Sequence, residues 1–492
     1  MNFSDFSFWW VLLLYSIPFL IIRTLCKSIN RWSPEFDRIG LMVLSLTLFL
    51  NASFKSFIVF LFEIIFNYLM VRLMLRQKGN SAKIFATLVI VFDIAILAYF
   101  KYLTFFVEDV VGLAIPGGLS ENWQAGFPLP VFDQIPPGVS FYTFQMVSFV
   151  VESLKQTKRK RKPKPIAFID YVNFVAFFPQ IVAGPIERRS DLFPQLQKFE
   201  FQFNADNIEA GLRWFSLGLF MKMVLADNLF PFIDVEQATN PWLVWLYAFL
   251  FTLRIYFDFA GYSFMALGIA RTMGVKLTIN FLSPYTSTSI QEFWRRWHIT
   301  LSTWFRDYVF IPLMGTNKKW ATSYLFITFT LSGFWHGAAW NFIIWGAYHG
   351  ALLLLLRYAG RPFQRMMGNK SGGGSRFFSW ALTFGSIILG CLFFMDTNIS
   401  RLVTKLQTII NPTAYSLGNL TGAFSDFTVN EIAALTLTLG LSLGWLLIEH
   451  IEVWQKRPEY ELLRNPWVSP LLLGLTLLLA ANQPSEFIYF EF

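Results

Sequence analysis

Cysteine is nearly absent from this chain: there are two in 492 residues, Cys26 and Cys391, in separate apolar segments. Two isolated thiols support neither a disulfide framework nor a zinc site. Both also lie away from the histidine motifs discussed below, so covalent thiol chemistry is not expected. Histidine is almost as scarce, at four residues, and no two stand at i, i+4. A metal centre therefore has no ligand pattern to rest on. Charge is short as well: 14% of residues are charged, against about a quarter in soluble domains. No water-soluble stretch is long enough for a core of its own, and no internal repeat of the solenoid or inverted-repeat kind is visible. The first apolar run, 8–22, lacks a basic n-region and a small-residue cleavage site, so it reads as a retained helix.

Apolar side chains fill the space that charge leaves, with 55% hydrophobic and 19% aromatic residues. Runs of near-spanning length recur from end to end, which predicts an all-α polytopic membrane protein, a single multi-pass domain over 1–492. The net charge of +9 does not point to nucleic acid, because much of it sits in the block Lys155-Gln-Thr-Lys-Arg-Lys-Arg-Lys-Pro-Lys164 between two apolar segments. Short basic loops of this kind set topology, and such a loop also suits anionic lipid or an acidic carrier protein. The Lys/Arg distribution places loops 23–38, 155–164 and 361–376 inside, the acidic loop 107–135 outside, and both termini outside. Helices are expected at about 39–52, 55–71, 84–106, 139–153, 209–231, 241–258, 262–273, 290–312, 320–335, 338–358, 377–395, 432–449 and 467–481. Segment 166–183, running into Ala183-Gly-Pro-Ile-Glu-Arg-Arg189, reads as re-entrant, since Gly and Pro break it at membrane depth.

Two of the four histidines stand in tryptophan-rich stretches. His298 lies in Phe293-Trp-Arg-Arg-Trp-His-Ile-Thr-Leu-Ser-Thr-Trp-Phe-Arg-Asp-Tyr308, and His336 in Ser332-Gly-Phe-Trp-His-Gly-Ala-Ala-Trp-Asn341. An ionisable ring in the hydrocarbon layer is expensive and marks a functional site by default, and imidazole suits proton transfer near neutrality. On one helix over 290–310, Trp294, Trp297, His298, Leu301, Trp304, Phe305 and Tyr308 share a face. Arg295, Arg296 and Arg306 either hold the phosphates of a nucleotide-like donor or sit at the membrane interface beside a tryptophan belt. At His336, between Trp335 and Gly337-Ala-Ala339, small residues permit close backbone approach. Apolar burial disfavours imidazolium there and leaves a neutral base.

His349 either lines the same cavity or packs as a core residue, while His450 beside Glu449 reads as a snorkelling helix-end side chain. Arg254 and Asp258 are spaced as an i, i+4 ion pair in an apolar segment. The terminal Phe487-Ile-Tyr-Phe-Glu-Phe492 is costly to leave in water. It is expected either to dock in an apolar groove or to anchor at the interface.

Five stretches resemble the membrane-bound O-acyltransferase superfamily, and more narrowly its bacterial alginate O-acetyltransferase-like branch: Ile135–Gln145, Phe178–Arg188, Tyr256–Tyr262, Glu292–Asp307 and Gly333–Trp340. The resemblance implies a ring of transmembrane helices with re-entrant elements around a central tunnel. It also implies acyl transfer from a cytoplasmic thioester, with acetyl-CoA as donor substrate and no bound cofactor, to an extracytoplasmic polysaccharide. His336 then corresponds to the family's catalytic histidine and His298 to its second intramembrane histidine; Arg295, Arg296, Arg306, Trp335 and Asn341 become donor-binding or tunnel residues. A separate extracytoplasmic transferase is the implied partner, with membrane lipid around the chain, in a bacterial inner membrane. Carboxyl-terminal Phe-x-Tyr motifs in related acyl-transfer systems make Tyr489 a candidate acyl carrier. Phe264-Met265 departs from the family's usual polar-plus-Asp pair and leaves the acceptor open. Transfer of an acyl or D-alanyl group from a carrier protein is the near alternative; a polytopic transporter and an acylated-partner scaffold are rivals from other classes.

Overall fold

The computed structural model describes residues 3, 6–112, 135–157, 165–238, 240–366, 373–423, 425, 427–481 and 485–488, with the side chains of 6, 359–366 and 373 left out. Among them there is no strand. In chain order the principal helices are α1 (Phe6–Ser28), α2 (Pro34–Ala52), α3 (Phe54–Arg76), α4 (Gly79–Lys101), α5 (Val139–Thr157), α6 (Phe168–Ala176), α7 (Ala205–Phe220) and α8 (Pro241–Thr272). They are followed by α9 (Ile290–Arg296), α10 (Ile299–Phe305), α11 (Ala321–His336), α12 (Trp340–Met366), α13 (Gly373–Met395), α14 (Ile399–Ile410), α15 (Val429–Trp454) and α16 (Val468–Leu479). Seven helical stretches among the described residues are long and apolar enough to cross a membrane: Ser7–Ser28, Phe54–Arg76, Gly79–Lys101, Ala205–Phe232, Pro241–Thr272, Gly374–Met395 and Val429–Trp454. The chain is a multi-pass membrane protein of the all-helical class. Most of the loop expected at 107–135, the basic block beyond Thr157 and the middle of the 361–376 connector lie outside the described residues.

The chain divides into two compact units, Met1–Gly211 with Ala266–Thr278, and Leu212–Met265 with Ile279–Phe492. In the first, ion pairs tie the helices: Arg23 meets Asp37 at 2.7 Å in a buried pair, and half-buried Arg38 meets Asp170 at 2.7 Å. The nine-residue α6 then gives way to irregular backbone that is buried throughout 177–187. Gln145 and Gln180 both donate to the Phe174 carbonyl (2.6 and 3.1 Å), replacing helix hydrogen bonds that the irregular turn forgoes. Glu187 accepts from the Thr278 amide and hydroxyl. Such backbone survives only where protein supplies its partners.

The second unit corrects several expectations. Helices foreseen at 241–258 and 262–273 are one 32-residue helix, α8. Gly261 does not break it; a Cβ there would lie 2.8 Å from the Gly218 carbonyl, so the glycine admits α7 at backbone contact. Conversely, the helix foreseen over 290–312 is broken after Arg296 into α9 and α10, followed by a π-helical turn over Arg306–Phe310. The connector foreseen at 361–376 is shortened, because α12 runs to Met366 and α13 starts at Gly373. Segment 396–430, beyond α13, contains α14, whose Lys405 and Arg401 pair with Asp396 at 2.6 and 2.9 Å. At twelve residues, α16 measures about 18 Å at 1.5 Å per residue, short of a hydrocarbon core about 30 Å thick.

Candidate active site

His298 sits at the break between α9 and α10 in a left-handed conformation, φ 41°. A β-carbon makes that region costly, so partners must hold it. Asn280 supplies them: its carbonyl accepts from the Ile299 amide (3.0 Å), and its Oδ1 accepts from the Thr300 amide (3.3 Å) and hydroxyl (2.6 Å). On the other side the Leu282 amide donates to the Arg296 carbonyl at 3.0 Å. The face expected on a single 290–310 helix is therefore split in two. The imidazole is fully buried, with its ring centre 4.7 Å from Phe259 and 6.3 Å from Trp335.

A second left-handed residue, Ser283, is fixed by Tyr460, which lies outside the sequence motifs, backed by Tyr256 of the Tyr256–Tyr262 stretch. Its amide donates to the Tyr460 hydroxyl at 2.8 Å, and that hydroxyl stands 3.2 Å from the Tyr256 hydroxyl. Tyr256 donates to Glu449 at 2.6 Å, and Trp445 donates to the same oxygen at 3.0 Å. Glu449 is fully buried. Only the adjacency of Glu449 and His450 in an apolar run signalled it, and the sequence reading spent that signal on snorkelling. His450 lies within α15 instead, edge-on to Trp380 at 5.6 Å, with Nδ1 2.9 Å from the Leu446 carbonyl.

His336 is the last residue of α11, and Gly337 turns the chain into extended backbone. The glycines around it are close-approach positions: a Cβ on Gly337 would lie 2.1 Å from the Phe342 ring, and one on Gly346 would lie 2.4 Å from the Phe329 carbonyl and 3.0 Å from Gly333 Cα. The α11–α12 crossing delivers His336 and His349 to one small cavity of about 20 Å³, shared with Tyr285, Phe293, Trp297 and Trp345. That is room for about one water molecule. His298 does not line it. Ring centres instead run from His298 to Trp335 (6.3 Å), His336 (5.0 Å), Trp345 (5.0 Å) and His349 (4.9 Å). Tyr285 also borders a larger, mostly apolar cavity of about 910 Å³ lined by Phe249, Trp380, Phe384, Leu446 and His450.

The remaining candidates divide. Trp335 and Asn341 are buried, and Asn341 donates to the Phe393 and Phe394 carbonyls at 3.2 and 3.4 Å. Arg296 is engaged with Glu292 (3.0 Å) and the Leu282 carbonyl (3.0 Å). Arg295 and Arg306 are exposed, the latter 2.7 Å from Asp307. The pair foreseen between Arg254 and Asp258 does not form. Asp258 meets Lys222 at 2.7 Å, while the Arg254 guanidinium lies 4.2 Å from the centre of the Phe230 ring.

Lys222 was missed entirely. It is fully buried, meets Asp227 at 2.7 Å, and donates to the Ser485 carbonyl (3.0 Å) and hydroxyl (3.2 Å). Ser485 in turn donates to Asp227 at 2.6 Å, and the Ile488 amide donates to Asp258 at 2.7 Å. Phe487 stacks on Tyr262 at 4.5 Å and stands 5.8 Å from Phe259, the residue packed on His298. The segment 485–488 is thus latched into the unit, with Phe487 and Ile488 at 0% exposure. Tyr489 itself lies outside the described residues.

An all-helical, multi-pass chain with imidazoles buried among tryptophans is the class of protein that this geometry defines. Residues 3–395 match the model of the membrane-bound O-acyltransferase family, and the chain belongs to that family. It is 32% identical over 442 residues to the peptidoglycan O-acetyltransferase of Helicobacter pylori, covering 84% of this chain and 80% of that one. It is 35% identical over 364 residues to the probable alginate O-acetylase AlgI of Pseudomonas putida, covering 73% and 68%. It is 30% identical over 300 residues to the teichoic acid D-alanyltransferase of Bacillus subtilis, covering 56% and 69%. The chain is an O-acyltransferase.

Proposed function

We propose that the chain, in a bacterial inner membrane, passes an acetyl group from cytoplasmic acetyl-CoA toward an extracytoplasmic polysaccharide such as alginate. The relatives named for alginate and peptidoglycan O-acetylation support an envelope glycan as acceptor. The observation that carries the assignment of roles is the placement of His336 at a helix end, facing a small buried cavity with room for about one water molecule. There His336 acts as general base: it takes the proton of the accepting hydroxyl as that oxygen attacks the thioester carbonyl, and it returns that proton to the departing thiolate as the carbon–sulfur bond breaks. His298 positions the donor or a proton from behind Trp335. Arg295 and Arg306 contact the donor phosphates, and Arg296 acts through the backbone it braces. Trp335 and Asn341 shape the passage. Tyr489, one residue beyond the latched Ile488, takes the acetyl group as a tyrosyl ester and yields it to a separate outer transferase, which splits one transfer into two steps.

Membranes given radiolabelled acetyl-CoA should label the polysaccharide with wild-type chain and not with His336→Ala. Retained labelling in that variant removes the base assignment. Mass spectrometry of the C-terminal peptide, from cells lacking the outer transferase, should show acetylated Tyr489; an unmodified peptide together with full activity of Tyr489→Phe removes the carrier step. The D-alanyltransferase relative supports a second reading, in which the donor is an acylated carrier protein docked on the basic block. Exclusive labelling from a carrier thioester would select it.

A further inference from the structure

The first unit contains two carboxyl groups that no Lys or Arg meets among the described residues. Glu63 on α3 and Asp93 on α4 are each 1% exposed, in helices apolar enough to cross a membrane. The same unit's Asp37 and Asp170 each have an arginine at 2.7 Å, and its buried Glu187 accepts from the Thr278 amide and hydroxyl. Asn67, one turn beyond Glu63, donates Nδ2 to Asp93 Oδ1 at 2.7 Å and to the Glu63 carbonyl at 3.1 Å. Its own Oδ1 has no partner, nor have Glu63 Oε1 and Oε2 or Asp93 Oδ2. Two phenols are electrostatically coupled to the pair, Tyr142 of α5, which lies beside the Glu63 carboxyl, and Tyr171 of α6. Both tyrosines are at 0% exposure; the Tyr142 hydroxyl is placed to donate to Glu63, and the Tyr171 hydroxyl has no hydrogen-bond partner.

The hydrogen-bond inventory does not balance. Four acceptor oxygens are unfilled, and two hydroxyls are the donors at hand. Burying one uncompensated charge costs several kcal/mol or more, and a pair costs more still. A cation or added protons would balance it, and every available ligand atom is oxygen. Oxygen-only sites take hard cations, in contrast to the nitrogen and sulfur sites of zinc or copper. We propose that Glu63, Asn67, Asp93, Tyr142 and Tyr171 bind a hard cation, sodium or calcium, that cross-braces α3, α4, α5 and α6 independently of acyl transfer. Calcium would neutralise both carboxylates; sodium would do so with one carboxyl protonated.

The purified full chain, dialysed from a chelator into choline buffer with sodium, calcium or magnesium, tests this by elemental analysis and thermal unfolding. The expected result is one retained ion per chain and a Tm that rises and saturates with that ion. Glu63→Gln/Asp93→Asn should lose both the ion and the response. Tyr142→Phe, which removes one oxygen and no charge, should raise the half-saturating concentration severalfold, and it decides the matter if the double amide fails to fold. The proposal is overturned if neither sodium nor calcium is retained, or if the ion persists in the double amide or is held equally by Tyr142→Phe. It is also overturned if stability follows pH and not the cation, for then the pair holds protons alone.

Discussion

His336 ends a regular helix, whereas His298 occupies a left-handed position between two helical pieces of seven residues each. The first is placed by bulk: glycines let α11 and α12 touch, and the ring follows from the crossing. The second is placed by polar bonds that over-determine a backbone it would not choose, with Asn280 on one side and the Tyr460–Tyr256–Glu449 chain behind Ser283 on the other. One imidazole depends on the absence of side chains and the other on the presence of specific ones. Strain held by surrounding bonds is a common property of functional sites.

The largest effect should separate the two by chemistry. His336→Ala should lower acyl transfer by about 10²–10⁴-fold, the usual cost of losing a positioned base, with insertion unchanged; assay of polymer-bound acetate checks it. Parity between His336→Ala and wild type would leave the two sites chemically indistinguishable. Next, Gly346→Ala should attack only the crossing, destabilising by about 1–3 kcal/mol as overpacking does, read as a fall in Tm. Tyr460→Phe should attack only the other site. It leaves the buried Ser283 amide unpaired, at about 1–3 kcal/mol, and thermal unfolding with activity shows whether the two variants add. The smallest effect is a reversal of order. At 298, Gly should be more stable than Ala by about 1 kcal/mol, because Gly bears no left-handed penalty. At 336, Ala should be more stable than Gly by up to about 1 kcal/mol, because that residue is helical. The same order at both positions would erase the backbone distinction.

Much of the frame was legible because lipid imposes simple rules. Long apolar runs gave α1, α3, α4, α13 and α15 with ends up to six residues off, and the Trp-His-Gly-Ala-Ala pattern located the end of α11. What was not legible came from long-range polar bonds. Nothing local distinguishes Trp297-His298 from helix interior; the break exists because Asn280, 20 positions away from Thr300, takes over the hydrogen bonds of the turn. Gly261 looked like a helix terminus and is an interhelical contact. Asp258 had a plausible partner four residues away in Arg254 and took Lys222 from another helix instead. Spacing ranks neighbours on one helix and says nothing about rivals on the next.

The latch on segment 485–488 has a consequence for the order of assembly. Lys222 and Ser485 are 263 residues apart. At roughly 5–20 residues per second, the ribosome needs on the order of ten seconds to a minute to make the intervening chain. During that interval Lys222, Asp227 and Asp258 have only one another as partners in their part of the unit, and Tyr262 has no Phe487 to stack on. The core around α7 and α8 therefore closes late in biosynthesis, when a segment made far downstream threads back into it. A product ending before Ser485 would leave Lys222 without the Ser485 carbonyl and hydroxyl, and Asp258 without the Ile488 amide.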